Sequence, residues 1–444
     1  MNRELDRESQ RTKTRMNCFR FSNKERDESV MRPRKSPSSR SNSSMSTDRE
    51  IRRSGSECSI DMSTESFGRI PLPYIAQMPS NLRIFMYQEL RNATRNFSRA
   101  LMLGEGGFGC VYRGTIKSVL EPHRKMDVAV KQLGRKGLQG HKEWLTEVNV
   151  LGMVDHQNLV KLIGYCAEED ERGMQLLLVY EFMSNRSLED HLSPRSTQPL
   201  TWPMRLRIAL DAARGLKYLH EEGEVKIIFR DLKPSNILLD GEWNAKLSDF
   251  GLARLGPQEE SHVSTAVVGT LGYAAPEYLH TGRLATKSDV WSYGVVLYEL
   301  ITGRKPMDRN RPKGEQSLLE WIKPYISDVK KFPMIIDPRI EVDTNLKSII
   351  KLGSVANKCL VRHPRSRPKM SEVFEMVQKI MDNLDNGGGT PEHLIMGPGP
   401  SEDGLVSQER KSGLELKRRS GEMKNGEGKW ITWSKWTPKL VRTH

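Results

Sequence analysis

The stretch IIFRDLKPSNILLD, residues 227–240, determines how the rest of the chain is interpreted. It contains Asp231, a Lys two residues later and an Asn three residues beyond that, between short apolar runs. A carboxylate, an ammonium and an amide this close together can orient a hydroxyl group and neutralise charge that develops during a reaction. Phe229 stands where loops of this kind more often carry His, so the stretch also raises the question whether its chemistry is intact.

A glycine-rich segment lies upstream, GEGGFGCV at residues 104–111, with the form G-x-G-x-x-G-x-V. In a dinucleotide-binding unit such glycines lead from a strand into a helix. Here they continue into CVYRGTI, which is β-rich and has no helical pattern, so a hairpin between two strands is favoured. Glycines in that hairpin would let the backbone approach phosphate oxygens closely, although an ordinary glycine hairpin is the alternative.

A lysine follows on the next predicted strand, in VAVK at residues 128–131. A lysine within an apolar strand needs a carboxylate partner. Glu147 is the candidate, because Trp144 and Leu151 lie one helical turn to either side of it and indicate an inward-facing stripe. Lys131 could therefore face the same phosphates as the glycines.

Composition limits the class of protein. The 444 residues carry a net charge of +14, and residues 1–60 hold 15 Lys and Arg against 9 Asp and Glu, a net +6. No apolar run approaches the ~18 residues that a membrane-spanning helix needs, and no secretory signal is visible. The cysteines are scattered and odd in number, at Cys18, Cys58, Cys110, Cys166 and Cys359. They suggest neither a metal cluster nor a disulfide framework, so the chain is expected to be intracellular.

The patterning predicts three regions. Residues 1–81 are Ser- and Arg-rich with no apolar period, which predicts disorder. Residues 82–384 are densely patterned, with strand-like segments to about 180 and helices from about 184. In MRLRIALDAARGLKYLH one helical face carries apolar residues, at Leu206, Ala209, Leu210, Ala213 and Leu216. Residues 385–444 form a Gly/Pro linker and a basic tail that contains Trp430, Trp433 and Trp436. The prediction is an α+β fold with a small β-rich lobe, a larger helical lobe and a ligand cleft between them.

These motifs resemble protein kinases in order and spacing: GEGGFGCV, VAVK, FRDLKPSN, DFG, APE and SDVWSYGVVLYEL. The resemblance covers residues 97–384, about two-thirds of the chain. FMYQELRNATRNFS, HQNLVKLIGYC and GTLGYAAPEY are similar to plant receptor-like kinases. Without a membrane span, the chain resembles a receptor-like cytoplasmic kinase, and VSTAVVGTLGYAAPEY with the Ser-rich head indicates subfamily VII.

The resemblance implies a bilobal kinase fold that uses ATP with Mg²⁺ or Mn²⁺. The catalytic loop would supply Asp231, Lys233 and Asn236, and the metal would bind Asn236 and Asp249. The remaining ATP-binding positions lie in the glycine loop, on the strand of Lys131, on the following helix and in the hinge. They are Leu103, Gly104, Glu105, Gly106, Gly107, Phe108, Gly109, Cys110, Val111, Ala129, Lys131, Glu147, Tyr180, Glu181, Phe182 and Met183.

Other residues are expected to regulate or support the site. Arg230 would pair with a phosphate on Ser264 or Thr265 of the activation loop, whereas the Thr270 hydroxyl would bond near Asp231. Structural roles are expected for Phe229 packed on Phe250, for a Glu277–Arg367 ion pair and for Asp289 as a backbone cap. Lys233 and Thr270 favour Ser/Thr over Tyr as acceptor.

Phe229 leaves two interpretations open. It would preserve the apolar packing and lose only a polar contact, worth about 0.5–1.5 kcal/mol, which predicts an active kinase. The alternative is an ATP-binding pseudokinase scaffold. A further alternative is that the two tails carry the main function and the kinase-like region does not.

The expected partners are protein substrates and upstream receptor kinases of the plasma membrane, with no specific nucleic acid. An N-terminal acylated Gly is missing, since Asn follows both Met1 and Met16. Cys18, flanked by basic and aromatic residues, is a candidate for S-acylation. Together with the basic head it would give a cytoplasmic protein that associates peripherally with an anionic membrane surface at the inner face of the plasma membrane.

Overall fold

The computed structural model of the chain describes residues 81–106, 109–118, 123–134, 138–257 and 262–385. These residues confirm the predicted fold class, because a small β-rich lobe precedes a larger helical lobe. None of the helices in these ranges is long and apolar enough to cross a membrane.

The N-terminal lobe is built on one six-stranded sheet. Its strands are β1 (Arg83–Ile84), β2 (Met102–Gly106), β3 (Gly109–Lys117), β4 (Lys125–Leu133), β5 (Leu162–Asp170) and β6 (Gly173–Glu181). They lie in the order β1-β5-β6-β4-β3-β2, and all neighbours are antiparallel except β1, which runs parallel to β5. Two helices accompany the sheet, α1 (Tyr87–Ala93) and α2 (Leu138–Leu151).

The two faces of β4 have different tasks. Val128 and Val130 are fully buried in a small core on one face of the sheet. Because side chains alternate along a strand, Ala129 and Lys131 point to the opposite face, which is turned towards the cleft. Residues before the sequence-predicted kinase core complete the small core, since Phe85 and Leu90 are buried in it.

Sequence patterns did not predict β1 or α1. A strand of two residues and a helix of seven are too short for a periodicity signal. Both are held by tertiary contacts, including the hydrogen bond from the Phe85 amide to the Tyr165 carbonyl at 2.8 Å.

The C-terminal lobe is mainly helical. Its helices are α3 (Leu188–Leu192), α4 (Trp202–Lys217), α5 (Pro276–Thr281), α6 (Thr286–Thr302), α7 (Leu318–Ile326), α8 (Val342–Cys359) and α9 (Met370–Asp385). Helix α6 is buried from Ser288 to Thr302 and forms the centre of the lobe. It ends at Gly303, whose φ of +64° is a backbone conformation that glycine adopts without a steric penalty.

Short strand pairs carry the loops that face the cleft. They are β7 (Ile227–Ile228) with β10 (Arg254–Leu255), β8 (Ile237–Leu239) with β9 (Ala245–Leu247), and β11 (Val263–Ser264) with β12 (Arg283–Leu284). The stretch from 229 to 236 therefore runs between two strands that are each fixed by a partner. This arrangement holds the loop in one position relative to α6.

Candidate active site

The glycine segment forms a β-hairpin, as the strand-rich continuation predicted. Glu105 pairs with Cys110 and Gly106 pairs with Gly109, while Gly107 and Phe108 lie outside the described residues. A Cβ atom added at Gly104 or Gly106 would meet nothing within 4 Å, so the backbone there is open to a ligand. Gly109 is different: its φ is +142°, and an added Cβ would lie 2.0 Å from the Gln132 carbonyl oxygen.

Lys131 lies between two carboxylates at the back of the cleft. Its Nζ is 2.6 Å from Glu147 Oε1 and 2.8 Å from Asp249 Oδ1, so the pairing predicted with Glu147 is present. Burial disfavours the charged lysine, but the charges of Asp249 and Glu147 outweigh this effect and raise its pKa. Burial likewise opposes ionisation of Asp249, yet Lys131 holds the pKa of that carboxyl below its usual value. The lysine therefore stays charged while it is enclosed.

A tyrosine that the sequence assigned only to the hinge also contacts this pair. The Tyr180 hydroxyl donates a short hydrogen bond to the Glu147 carboxylate, opposite the oxygen that faces Lys131. No sequence signal identified this contact, because the two residues lie 33 positions apart on different elements. Tyr180 thus ties the edge of the hinge to α2.

The rest of the hinge is held by contacts outside the Lys131 pair. The Glu181 carboxylate contacts Lys246 Nζ at 2.8 Å, and the Glu181 amide donates to the Lys161 carbonyl at 3.1 Å. The Phe182 ring lies under the Arg113 guanidinium at 4.8 Å, and Met183 is buried in the large core. Leu103, at the start of the glycine hairpin, is 49% exposed, whereas Val111 and Ala129 are partly buried.

The acceptor end of the site is a compact set of hydrogen bonds around Asp231. Lys233 Nζ lies 2.7 Å from Asp231 Oδ2, and the Thr270 hydroxyl donates to Asp231 Oδ1 at 2.6 Å. Lys233 also donates to the Thr270 oxygen at 3.0 Å. The Asn236 amide nitrogen donates to the Asp231 carbonyl at 2.9 Å. The aspartate is thereby fixed in orientation before any substrate arrives.

The backbone of this loop is held from below by Asp289 on α6. Its two carboxylate oxygens accept the amide hydrogens of Phe229 at 2.8 Å and Arg230 at 2.7 Å, which is the predicted capping role. His220 lies 2.8 Å from the same carboxylate and was not identified from the sequence. Arg230 has a φ of +73°, an unfavourable conformation for a residue with a side chain, and these bonds help to hold it.

Phe229 packs as predicted. Its ring meets that of Phe250 edge to face, with 5.0 Å between the ring centroids, and both side chains are fully buried. Phe250 follows Asp249 directly. The contact therefore joins the loop that carries Asp231 to the loop that carries Asp249 through apolar packing.

The Arg230 side chain reaches into the activation segment. Its Nη2 lies 3.2 Å from the Thr265 hydroxyl and contacts the Ala266 carbonyl, and its Nε donates to the Tyr278 hydroxyl at 2.9 Å. Ser264 is exposed on β11. Of the two hydroxyl residues predicted to face Arg230, the structure brings Thr265 into contact. Cys18 and the three tail tryptophans lie outside the described residues.

A buried ion pair braces the helical lobe where the sequence predicted one. Arg367 meets the two oxygens of Glu277 at 2.8 and 2.7 Å, and donates to the carbonyls of Val361 and Lys287 at 2.8 Å each. This bidentate geometry connects the start of α5 to the segment before α9. The described hydrogen-bond partners of the Arg367 side chain include none of the residues assigned to ATP or to the acceptor.

Two further buried acids flank the site and were not predicted. Burial raises the pKa of Glu299 to about 8. The 2.7 Å hydrogen bond from the Tyr273 hydroxyl acts in the opposite direction and lowers this pKa. Burial also raises the pKa of Glu143 to about 7. Glu143 packs against the backbone of Gly251, since a Cβ added to Gly251 would lie 3.1 Å from the Glu143 Cβ.

The residues present suit a nucleotide with a divalent metal ion. The side-chain amide nitrogen of Asn236 donates to the Asp231 carbonyl, so the side-chain oxygen of Asn236 is the atom that can bind a metal ion. Asp249 adds a carboxylate, and hard oxygens of these two kinds are the ligands that Mg²⁺ and Mn²⁺ prefer. The open backbone at Gly104 and Gly106 and the charged Lys131 suit the phosphate groups.

Comparison with known proteins agrees with this geometry. Residues 97–377 match the family described as protein tyrosine and serine/threonine kinase. In Arabidopsis thaliana, the protein named serine/threonine-protein kinase PCRK1 is 58% identical over 434 residues, covering 96% of this chain and 100% of that protein.

Two other Arabidopsis thaliana relatives agree. Serine/threonine-protein kinase PCRK2 is 58% identical over 399 residues, covering 88% of this chain and 93% of that protein. Serine/threonine-protein kinase PBL36 is 54% identical over 324 residues, covering 72% of this chain and 67% of that protein. Members of this family use ATP and a divalent metal ion to phosphorylate proteins. The chain belongs to the protein kinase family, and within it to the serine/threonine-specific receptor-like cytoplasmic kinases of plants.

Proposed function

We propose that Asp231 is the residue at which the chain directs a substrate serine or threonine hydroxyl onto the γ-phosphate of ATP. One observation carries this assignment: the Thr270 hydroxyl already donates to Asp231 Oδ1 at 2.6 Å, so the carboxylate is placed to accept an alcohol proton. Lys233, 2.7 Å from the other oxygen, neutralises charge on the transferring group.

The remaining site residues hold the nucleotide. Lys131 binds its phosphates, the glycine hairpin covers them, and the backbone of Glu181 to Met183 receives the adenine. Mg²⁺ or Mn²⁺, held by Asn236 and Asp249, supplies charge neutralisation when bound.

Transfer of labelled phosphate from ATP to a generic protein substrate tests this assignment. Asp231→Asn, which is nearly the same size, should lower turnover by about 10²–10⁴-fold, the usual contribution of a positioned base. The melting shift produced by ATP should persist in the variant. Activity at the native level in Asp231→Asn would refute the role of Asp231.

A pseudokinase scaffold is the second candidate, and Phe229 is the observation that favours it. Phe229 is held at this position by its packing on Phe250 and by the hydrogen bond from its amide to Asp289. The described ring contact of Phe229 is with Phe250, which has no assigned role in transfer, so we propose the active enzyme. ATP binding with no transfer by the native chain, under conditions in which a related kinase is active, would favour the scaffold.

Phosphorylation of Thr265 is the proposed activating event. A phosphate there would lie beside the Arg230 guanidinium, which already contacts the hydroxyl at 3.2 Å. Ser264, exposed and without a described contact to Arg230, serves as the matched control. Thr265→Ala should lower activity more than Ser264→Ala, and equal activity of both variants and the native chain would contradict the proposal.

In the cell, we propose a relay function downstream of plasma-membrane receptor kinases in plant immune or developmental signalling. Cys18 acylation and the basic head, with net +6 over residues 1–60, would place the chain at the inner face of that membrane. Cys18→Ser should shift the protein to the cytosolic fraction. An unchanged membrane fraction would exclude this anchor.

A further inference from the structure

A run of basic sequence without a single acid lies in the helical lobe. Residues 347–369, KSIIKLGSVANKCLVRHPRSRPK, hold seven Lys and Arg and no Asp or Glu. They cover most of α8 and the loop that joins it to α9. None of them is among the residues assigned to ATP or to the acceptor, so the phosphoryl-transfer reaction does not account for this charge.

Helix α8 carries its lysines on one exposed face. Lys347, Lys351 and Lys358 are spaced by four and seven residues, which brings them to the same side of a helix. All three are exposed, and so is Ser354 between them. The residues that anchor the helix to the lobe are buried and mostly apolar: Ser348, Ile349, Leu352, Gly353, Val355, Ala356 and Cys359.

The loop after α8 extends this basic surface. Arg362, Arg365 and Lys369 are exposed in it. Its backbone is folded around the buried Arg367 guanidinium, which donates to the carbonyls of Val361 at 2.8 Å and Arg362 at 3.3 Å. Because the backbone is anchored to a buried side chain, the exposed cations of the loop start from fixed positions.

The helix and the loop together expose six cations, which we call the α8 basic face: Lys347, Lys351, Lys358, Arg362, Arg365 and Lys369. In the described parts of the chain, no Asp or Glu oxygen lies within 4.0 Å of a side-chain nitrogen of any of them. The Glu372 carboxylate lies next to the loop, but it accepts the backbone amide of Lys369, at 2.7 Å. Several like charges close together produce a positive potential that attracts anions.

We propose that the α8 basic face binds the anionic lipid surface of a membrane. This contact turns the side of the helical lobe that carries α8 towards the bilayer and so orients the kinase domain. It goes beyond the anchor proposed at Cys18, which would tether the chain without orienting the domain. It does not depend on that anchor, because it uses only residues of the folded lobe.

The spread of the charges favours an occupant with many anionic groups. Lys347 and Lys358 are 11 residues apart on α8, which corresponds to about 16 Å along the helix axis. One phosphate or carboxylate group cannot contact both lysines. The headgroups of an anionic bilayer form an extended surface and can contact the whole face.

The composition of the face favours a bilayer over a single-stranded nucleic acid. Nucleic acids of this kind bind where basic residues are combined with aromatic side chains on which the bases stack. Residues 347–369 contain no Phe, Tyr or Trp. Val361, where α8 leads into the loop, is 37% exposed. An apolar side chain among cations suits the boundary between lipid headgroups and acyl chains.

Vesicle flotation with the full chain, produced without acylation, tests the proposal. Vesicles of phosphatidylcholine alone are compared with vesicles that also contain phosphatidylserine. The native chain should prefer the anionic vesicles, and raised salt should weaken the binding. Lys347→Gln/Lys351→Gln/Lys358→Gln should weaken it by about fivefold for each lysine removed. Arg362→Gln/Arg365→Gln should act in the same direction.

A control variant removes the same charge elsewhere in the helical lobe. Lys313→Gln/Lys330→Gln/Lys331→Gln changes three other exposed lysines. The basic head is the same in every chain, so its contribution cancels in the comparison. The control should keep most of the native affinity for vesicles. Melting temperature and phosphate transfer to a soluble protein should match the native chain in both triple variants.

A dye at Ser354 locates the contact on the molecule. Ser354→Cys, combined with Cys18→Ser, Cys58→Ser and Cys110→Ser, carries a polarity-sensitive dye at the centre of the basic face. Its emission should shift to shorter wavelength on anionic vesicles. The same dye on Glu169→Cys, an exposed position of β5 in the other lobe, should not shift.

Three results would overturn the inference. The first is an equal loss of vesicle binding in the two triple variants, since total charge and not this face would then matter. The second is an unshifted dye at Ser354 on vesicle-bound protein. The third is unchanged vesicle binding in the α8 variant with lost binding of poly(U) RNA or polyglutamate, which would assign the face to another polyanion. Failure of phosphate transfer to the soluble protein would instead count against the proposed function, so the two failures are distinguishable.

Discussion

Two lysines, one partly buried and one buried, lie at opposite ends of the active site, and they are held in different ways. Lys131, at the phosphate end, faces Glu147 and Asp249, which lie 16 and 118 residues away in sequence. Lys233, at the acceptor end, faces Asp231 only two residues away. Their distances to the nearest carboxylate are nearly equal, at 2.6 and 2.7 Å.

The difference lies in what must assemble before each lysine is in place. At the acceptor end both charged groups lie in one loop, which Asp289 braces from α6, and Thr270 adds a hydroxyl from the activation segment. The phosphate end needs β4, α2 and the segment of Asp249 together. A displacement of α2 would separate Lys131 from Glu147 and leave Lys233 in place. The phosphate end is therefore the part of the site that conformational change can switch off.

Lys131→Met should have the largest effect on activity, and it acts at the phosphate end. Loss of this charge is expected to lower phosphate transfer by about 10²–10³-fold. Glu147 would then be buried without its cation, and burial raises the pKa of that carboxyl. A carboxyl with a raised folded-state pKa binds more protons folded than unfolded, so the variant should lose stability as pH rises from mildly acidic to mildly alkaline values.

Melting curves across that pH range, for the native chain and both lysine variants, check this expectation. Lys233→Met is the matched control, because the Asp231 carboxylate retains hydrogen bonds from Thr270 at 2.6 Å and from Asn236 at 3.3 Å. Its melting temperature should differ from the native value by a constant amount. A constant offset for Lys131→Met as well would show that the two ends respond alike.

Phe229 is the apolar link between the ends, and truncating it should damage both. Phe229→Ala leaves a cavity against Phe250 and should lower the free energy of unfolding by about 3–5 kcal/mol. Phe229→His should alter turnover only modestly, since the ring position is retained. Denaturant unfolding and transfer assays measure the two effects. A rise in turnover by orders of magnitude in Phe229→His would identify the native chain as an impaired kinase.

The contrast between the ends also explains what the sequence could predict. Asp231, Lys233 and Asn236 lie within six residues, so a local motif specifies their contacts. Lys131 and Glu147 were paired because a charge on an apolar strand requires a partner. The hydroxyls of Tyr180 and Tyr278 and the ring of His220 escaped prediction, because each contact depends on how separate elements pack. Strand β1 was not predicted, because two residues are too few to show an alternating pattern of side chains.

Two buried acids should make the ends differ in their response to pH. The pKa of Glu299, beneath the acceptor end, is raised to about 8, and that of Glu143, beside the phosphate end, to about 7. Each contributes stability that is present below its unfolded pKa of about 4.3 and lost as pH rises through the folded value. Glu299→Gln should be about as stable as the native chain near pH 5 and more stable near pH 8.

Differential scanning calorimetry of native and variant chains over this range measures the effect. Glu143→Gln serves as the comparison, and its gain should level off nearer pH 7, where the native carboxyl ionises. Glu299→Gln retains an oxygen that accepts the Tyr273 hydrogen bond. Parallel melting profiles for all three chains would contradict the assignment of raised pKa values to these acids.

Tyr180→Phe should give the smallest change and confine it to the phosphate end. The variant removes one hydrogen bond to Glu147 and keeps the ring and the Lys131 contact. A bond to a charged group contributes about 1.5–3 kcal/mol, which sets the upper limit of the stability loss. Because Glu147 retains Lys131, transfer should fall by less than about tenfold, a barrier change below about 1.4 kcal/mol.

Tyr298→Phe is the matched control, since it removes a hydroxyl bonded to Asn357 at 2.6 Å in the helical lobe. It should cost about 0.5–1.5 kcal/mol of stability and leave the KM for ATP unchanged, whereas Tyr180→Phe should raise that KM. An unchanged KM in Tyr180→Phe would mean that Lys131 alone fixes Glu147, and that the hinge exerts no hold on α2.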